Sequence, residues 1–154
     1  MKNVKSYPNF IEKNFVIDGA NVCWHYKNKK NRPQIKNLKL LIYELESMGV
    51  KEQNLLVFCD ASLRHFIDNQ SQYYSLLRKK IIWETPAGIK ADEFILNFCL
   101  KHENAFIISN DLFKKYWRQL PTKDWIKKKR IGFIIIKDEI LLIPMLENVL
   151  EVKL

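Results

Sequence analysis

Nowhere in this sequence do about 20 apolar residues run together, so nothing in it reads as a membrane-spanning helix. Cysteine and histidine are scarce. Cys23, Cys59 and Cys99 lie far apart, are odd in number and form no Cys-x-x-Cys pair, as reduced, buried thiols of a cytoplasmic protein would. His25, His65 and His102 are equally scattered and lack the tight spacing of a zinc site. There is no Gly-rich phosphate loop, no Gly-x-Ser-x-Gly elbow and no dinucleotide fingerprint. Asp18-Gly-Ala-Asn21 also lacks the second aspartate, two residues on, of an aspartyl-phosphate phosphatase. No repeat, low-complexity tract or linker interrupts the chain, and residues 1–154 read as a single domain. Met1 to Asn14 mixes Lys, Asn and Pro with isolated apolar residues, unlike a signal peptide.

Acids are outnumbered. The 17 Asp and Glu stand against 26 Lys and Arg, a net charge of +9. With a pI near 9.4, that balance points toward polyanions such as nucleic acid, although a basic surface also serves solubility. The 47% hydrophobic and 28% charged content is that of a globular chain with a substantial core.

The apolar residues alternate between strand-like runs and helical spacing. Phe15-Val-Ile17 and Asn54 to Cys59 read as buried strands, Ile81 to Trp83 as a brief third and Ala105 to Ile108 as a fourth. Ile131 to Ile136 and Ile140 to Ile143 read as short strands around a turn at Lys137-Asp138, with Pro144 ending the regular part. Between them, Pro33 opens a helix carrying Ile35, Leu38, Leu41, Ile42 and Leu45, which Gly49 closes. Short helices are expected over Ser62–Asn69 and Tyr73–Lys80. A longer one runs from Lys90 to Lys101 with Ala91, Phe94, Ile95, Phe98 and Cys99 on its apolar face, and another begins at Asp111. Strands separated by helices imply an α/β fold, a mainly parallel sheet covered on both faces.

Parallel strands joined by crossovers place their carboxyl ends on one edge, where ligands bind in such sheets. Asp18, Asp60 and Asp111 each follow a strand, and Asp92 sits in the first turn of the helix after the third. Each has a plainer reading as a cap or turn residue. If their strands are neighbours, the acids converge, repel and call for a cation, and oxygen ligands fit Mg²⁺ or Mn²⁺.

Three stretches then resemble a known family. They are Phe15-Val-Ile-Asp-Gly-Ala-Asn-Val22, Lys90-Ala-Asp-Glu-Phe-Ile-Leu96 and Ile107-Ile-Ser-Asn-Asp-Leu-Phe113, with Trp125-Ile-Lys-Lys-Lys-Arg130 and Ile143-Pro144 behind them. Together they resemble the NYN domain of the PIN-like nucleases, closest to the Regnase type, the CCCH zinc-finger ribonucleases, over nearly the whole chain. The resemblance implies a three-layer α/β/α fold and a Mg²⁺-dependent endoribonuclease acting on single-stranded RNA. By the same resemblance Asp18, Asp92 and Asp111 are metal ligands and Asn21 is the companion of Asp18. Two positions depart from the pattern: Ala91 stands where one of two paired aspartates is expected, and Lys115 where a further aspartate is. Asp60 and Glu93 are the acids available to restore the charge. This sequence carries no zinc finger, so the domain itself or a partner is expected to hold RNA.

The RNA contacts expected here are Lys127, Lys128, Lys129 and Arg130, then Lys115, Arg118 and Trp24. Trp24 serves either to stack on a base or to pack in the core or at its rim. Trp83, Trp117 and Trp125 read as packing residues, and Tyr73 and Tyr74 fit an amphipathic helix as well as an RNA surface. The alternative to the nuclease is an RNA-binding module that keeps the fold with weak or no catalysis. A homodimer is compatible with either reading.

Overall fold

Residues 12–143 are described by the computed structural model; residues 1–11 and the expected stop at Pro144 lie outside them. Strand β1, Asn14–Asp18, carries Phe15, Val16 and Ile17 fully out of water. Burying three such side chains stabilises the fold by about 1.5–3 kcal/mol each, which makes β1 the natural centre of the sheet. The remaining strands are β2 (Leu55–Asp60), β3 (Ile82–Thr85), β4 (Ala105–Ile108), β5 (Arg130–Ile136) and β6 (Glu139–Ile143). They form one six-stranded sheet in the order β3-β2-β1-β4-β5-β6. All neighbours run parallel except β6, which returns antiparallel along β5. Lys137 and Asp138 take φ of 46° and 61° in that hairpin turn, as the twist of a two-residue connection requires.

Helices cover both faces. On one side α1 (Gly19–Cys23), α2 (Ile35–Ser47), α3 (Leu63–Phe66) and α4 (Gln70–Arg78) enclose a core that includes Phe15, Ile17, Leu38, Leu41 and Phe106. On the other, α5 (Ala91–Lys101), α6 (Trp125–Lys129) and a 3₁₀ helix (Lys114–Gln119) enclose Val16, Ile107, Ile95, Phe113 and Ile126. This is the α/β/α arrangement around a mainly parallel sheet that the strand and helix patterning implies.

Several boundaries differ for local reasons. Helix α2 starts at Ile35 rather than Pro33, because the Asp68 carboxylate accepts the Ile35 N–H at 2.9 Å. Gly49, at φ 99°, ends it. Leu96 rather than Phe94 completes the buried stripe of α5, and Phe94 lies at the surface. No helix begins at Asp111. Its carboxylate takes the Phe113 N–H at 2.8 Å, an Asx turn that competes with helix formation, and Phe113 adopts a left-handed φ of 53° before the 3₁₀ helix starts. Trp83 and Trp117 were expected to pack, yet 44% and 46% of their surface is exposed, because one lies on an edge strand and the other on that 3₁₀ helix.

Candidate active site

The strand order makes β2, β1 and β4 neighbours, so the residues that leave their carboxyl ends meet along one edge of the sheet. Asp18 ends β1, Asp60 ends β2 and Asp111 follows β4. With Asp92, from the first turn of α5, they line one open pocket of about 380 Å³, together with Asn21, Trp24, His25, Lys90 and Asn110. The close approach of α1 to β2 needs a glycine after Asp18: a Cβ on Gly19 would collide with the Cys59 sulfur and stand 2.8 Å from a Val57 methyl. Gly19 therefore serves packing, and its backbone is ordinary helix.

Asp18 is 9% exposed. It caps α1 by accepting the Asn21 N–H at 3.4 Å and accepts the Ser109 hydroxyl at 3.0 Å. Both readings of this residue thus coexist. Burial pushes its carboxyl up to about 6, and the charges of Asp111 and Asp92 add to the rise, against the lowering effect of the Ser109 and Asn21 hydrogen bonds.

Ser109 and Asn110 fix the loop that carries Asp111. The Asp111 N–H donates to the Ser109 hydroxyl oxygen at 3.1 Å, so one side chain ties Asp18 to Asp111. The Asn110 N–H donates to the Asn21 side-chain oxygen at 2.9 Å, while the Asn110 side chain both donates to the Phe133 carbonyl at 2.9 Å and accepts the Phe133 N–H at 2.8 Å. Arg130 donates to the Ser109 carbonyl at 3.0 Å. Gly132 leaves room for this clasp, since a Cβ there would stand 3.2 Å from both the Asn110 oxygen and an Arg130 nitrogen. The His25 ring closes one wall, packed on Tyr26 and Phe133 at 4.5 and 4.9 Å between centroids. Its burial holds the imidazole below its usual value.

The expected site residues separate into groups. Asp18, Asn21, Asp60, Asp92, Asp111 and Trp24 share the pocket, and Asp60 also accepts the Ala91 N–H at 2.8 Å. Glu93 does not join them: one step further round α5, it lines a separate cavity with Leu96 and Asn97. Lys115 lies in a cavity that adjoins the acidic pocket and shares Lys90, Asp92, Asn110 and Asp111 with it. Arg118 is exposed beside it on the 3₁₀ helix.

The run from Lys127 to Arg130 is not one solvated face. Lys128 pairs with Asp124 at 3.1 Å, and Lys129 donates to the Glu103 carbonyl ahead of β4, at the opposite end of that strand from Asp111. Arg130 is spent on Ser109. The residues that sequence reasoning passed over are Ser109, Asn110, His25 and Lys90. The first two were visible only as the neighbours of Asp111, and His25 only as the fourth residue after Asn21.

The donor set is all oxygen, which suits a hard dication. Among the described residues no three acidic, His or Cys side chains stand close enough to hold an ion jointly. An ion there would take one or two carboxylates directly and keep several of its waters, as Mg²⁺ does in protein sites.

An α/β domain with an acidic pocket at the carboxyl edge of its sheet is the class that this fold and site define. The chain belongs to the Zc3h12a-like ribonuclease NYN domain family, whose model matches residues 12–148. Two solved structures of the nuclear protein-only RNase P 2 of Arabidopsis thaliana are similar in fold. One has a TM-score of 0.65 at 16% identity and the other 0.67 at 18%, each covering 85% of this chain. The chain spans 29% of the length of those proteins. No curated protein matches it.

Proposed function

We propose that this ribonuclease-family domain is a Mg²⁺- or Mn²⁺-dependent endoribonuclease that cleaves single-stranded RNA by water attack on the phosphodiester. The observation that carries the reading is the gathering of Asp18, Asp60, Asp92 and Asp111 at one pocket of a chain whose net charge is +9. Carboxylates oppose the binding of a polyanion, so a basic RNA-binding domain gains from them only with a cation between acid and phosphate. Asp18, Asp92 and Asp111 would hold that ion, directly or through water, with Asp60 as a further acid. An ion held there would supply Lewis acidity toward a phosphoryl oxygen and activation of the attacking water.

The chain's own residues supply the rest. Asn110 holds the Asn21 side-chain oxygen, which turns the Asn21 amide N–H groups toward use as donors to a phosphate oxygen. Ser109 keeps Asp18 and the Asp111 backbone in one frame, so the two acids are positioned before substrate arrives. Lys90, Lys114 and Lys115, around the adjoining cavity, offset the charge of the incoming strand. The three free, buried cysteines support a reducing, cytoplasmic setting.

A second reading, an RNA-binding module with little catalysis, draws on Lys115 standing beside Asp92 and Asp111 in that cavity. Labelled single-stranded RNA incubated with Mg²⁺, Mn²⁺ or chelator, beside Asp18→Asn, separates the two. Cleavage that needs metal and Asp18 is expected. Cleavage that persists in chelator sinks the metal mechanism, and binding without cleavage in either metal favours the second reading.

A further inference from the structure

A second cavity, of about 590 Å³, is lined by Asn28, Lys29, Lys30, Arg32 and Asp68. It belongs to the connection between α1 and α2, and that connection is built rather than slack. The Asn28 side chain accepts the N–H groups of Lys30 and Arg32 at 2.9 and 3.0 Å, the Asn28 backbone N–H donates to the Arg32 carbonyl at 3.0 Å, and Asn31 adopts a φ of 60°. Among the described residues no acid pairs with Lys29, Lys30 or Arg32. The Asp68 carboxylate accepts the Ile35 N–H at 2.9 Å and sets one negative charge against the three cations of the lining.

Two short stretches of chain link this cavity to the acidic pocket. Trp24 lines the pocket, and Asn28, four residues on, lines the cavity. Phe66 packs on Trp24 at 6.2 Å between centroids, and Asp68, two residues on, lines the cavity as well. Along these stretches Trp24, with the Lys27 ammonium 5.4 Å above its ring, and Phe66, 53% exposed, form an aromatic platform. An aromatic face beside a cation, leading from a cluster of acids to a held group of unpaired cations, matches the alternation of base and phosphate in an unpaired strand.

Resting on the nuclease reading above, we propose that the RNA strand leaves the acidic pocket over Trp24, stacks the nucleotide next to the cleaved bond there, and sets its following phosphates in the Lys29, Lys30 and Arg32 cavity. A duplex does not fit this path, because its bases are not available to the ring.

The test uses binding in chelator, where no cleavage interferes, with fluorescent single-stranded RNA of one sequence and a single abasic nucleotide moved along it. Wild-type cleavage in metal first marks the cut position. Wild type should then lose about 5- to 150-fold in affinity for an abasic site at one position flanking the cut, the range that stacking one base supplies. Trp24→Ala should be indifferent to that abasic site, and Trp24→Phe should stay sensitive. Lys29→Ala/Lys30→Ala/Arg32→Ala, all on exposed positions, should flatten the salt dependence by about 0.7 in log–log slope per lost phosphate. An abasic penalty that survives Trp24→Ala, an unchanged slope in the triple variant, or equal affinity for a duplex would overturn the path while leaving wild-type cleavage, and with it the nuclease reading, standing. Wild type that neither binds nor cleaves RNA would overturn both.

Discussion

Asp18 and Glu84 are two carboxylates of one sheet, on strands that flank β2, and both are nearly out of water: Asp18 is 9% exposed and the Glu84 side chain 12%. Their partners differ. Glu84 accepts two N–H donors from Arg64 and the Tyr73 hydroxyl at 2.8 Å. Asp18 has a serine hydroxyl and a backbone N–H, and its charged neighbours are acids. Burial acts on both, raising Asp18 to about 6. At Glu84 the Arg64 and Tyr73 interactions outweigh it and leave the carboxyl below its usual value. The lesson is that a buried charge with its cation in place holds a structure together, whereas one without a cation is the kind of perturbed group that functional sites gather.

The largest expected effect tests that difference directly. Asp18→Asn should lower RNA cleavage by more than about a hundredfold, beyond the 10- to 100-fold usual for groups one shell removed from an ion. Glu84→Gln should leave the cleavage rate of the folded protein within about twofold, since it touches nothing in the pocket. Equal losses of rate in both variants, at matched folded fractions, would erase the distinction.

The next effect is a pH dependence of opposite sign at the two sites. Asp18 has a folded value of about 6 against about 3.9 unfolded, so its contribution to stability is fully present below about pH 4 and is lost as pH rises through about 6. The roughly two-unit gap corresponds to about 3 kcal/mol. In chelator, wild type should therefore melt higher at pH 4.5 than at pH 7 relative to Asp18→Asn, and Mg²⁺ should restore stability at pH 7 by about 2.7 kcal/mol at a hundredfold excess over Kd. Glu84, held low, contributes stability above its unfolded value of about 4.3 and loses it as pH falls through its folded one. Urea melts of wild type, Asp18→Asn and Glu84→Gln across pH 3 to 8 would separate the two. Parallel curves for Asp18→Asn and wild type would mean that Asp18 is an ordinary cap.

Removing the cation from the satisfied pair should cost less. Arg64→Ala leaves Glu84 with Tyr73 alone, and because the Arg64 side chain is 38% exposed, solvent screens part of the loss, so about 1–2 kcal/mol is expected. Cleavage per folded molecule should not change.

The acidic pocket was legible in the sequence to the extent that topology is local. A β-branched run followed by an acid, repeated after crossovers, puts Asp18, Asp60 and Asp111 on one edge whatever else the chain does, and the three motifs named the family. What was not legible is contact between distant residues. Nothing near Arg64, in a four-residue helix, announces that Glu84 on an edge strand will be its partner. The clasp of Asn110 on Phe133 is equally hidden, because it uses backbone groups that every residue has. A run such as Lys127 to Arg130 reads as one patch, since composition cannot tell an ammonium in water from one already bonded. Burial of one face of α6 against β4 divides that run into cations facing different ways.

The smallest expected effect extends the comparison from acids to bases. Lys129 donates to the Glu103 carbonyl, lies 5.8 Å from the Phe106 ring centroid, and is held below its usual value by burial. Its partner carbonyl precedes β4 whereas Asp111 follows it, so the ammonium sits at the edge of the sheet away from the pocket. Lys129→Ala should thus cost under about 1 kcal/mol, the net worth of one hydrogen bond, and leave the salt dependence of RNA binding unchanged. Lys29, Lys30 and Arg32, which have no acidic partner among the described residues, should each contribute about 0.7 to that slope where they meet a phosphate. Titrations at four salt concentrations with Lys129→Ala and the triple variant side by side make the contrast. If the slope falls with Lys129→Ala instead, the strand reaches the amino edge of the sheet, and a satisfied partner does not mark a structural charge among the bases as it does among the acids.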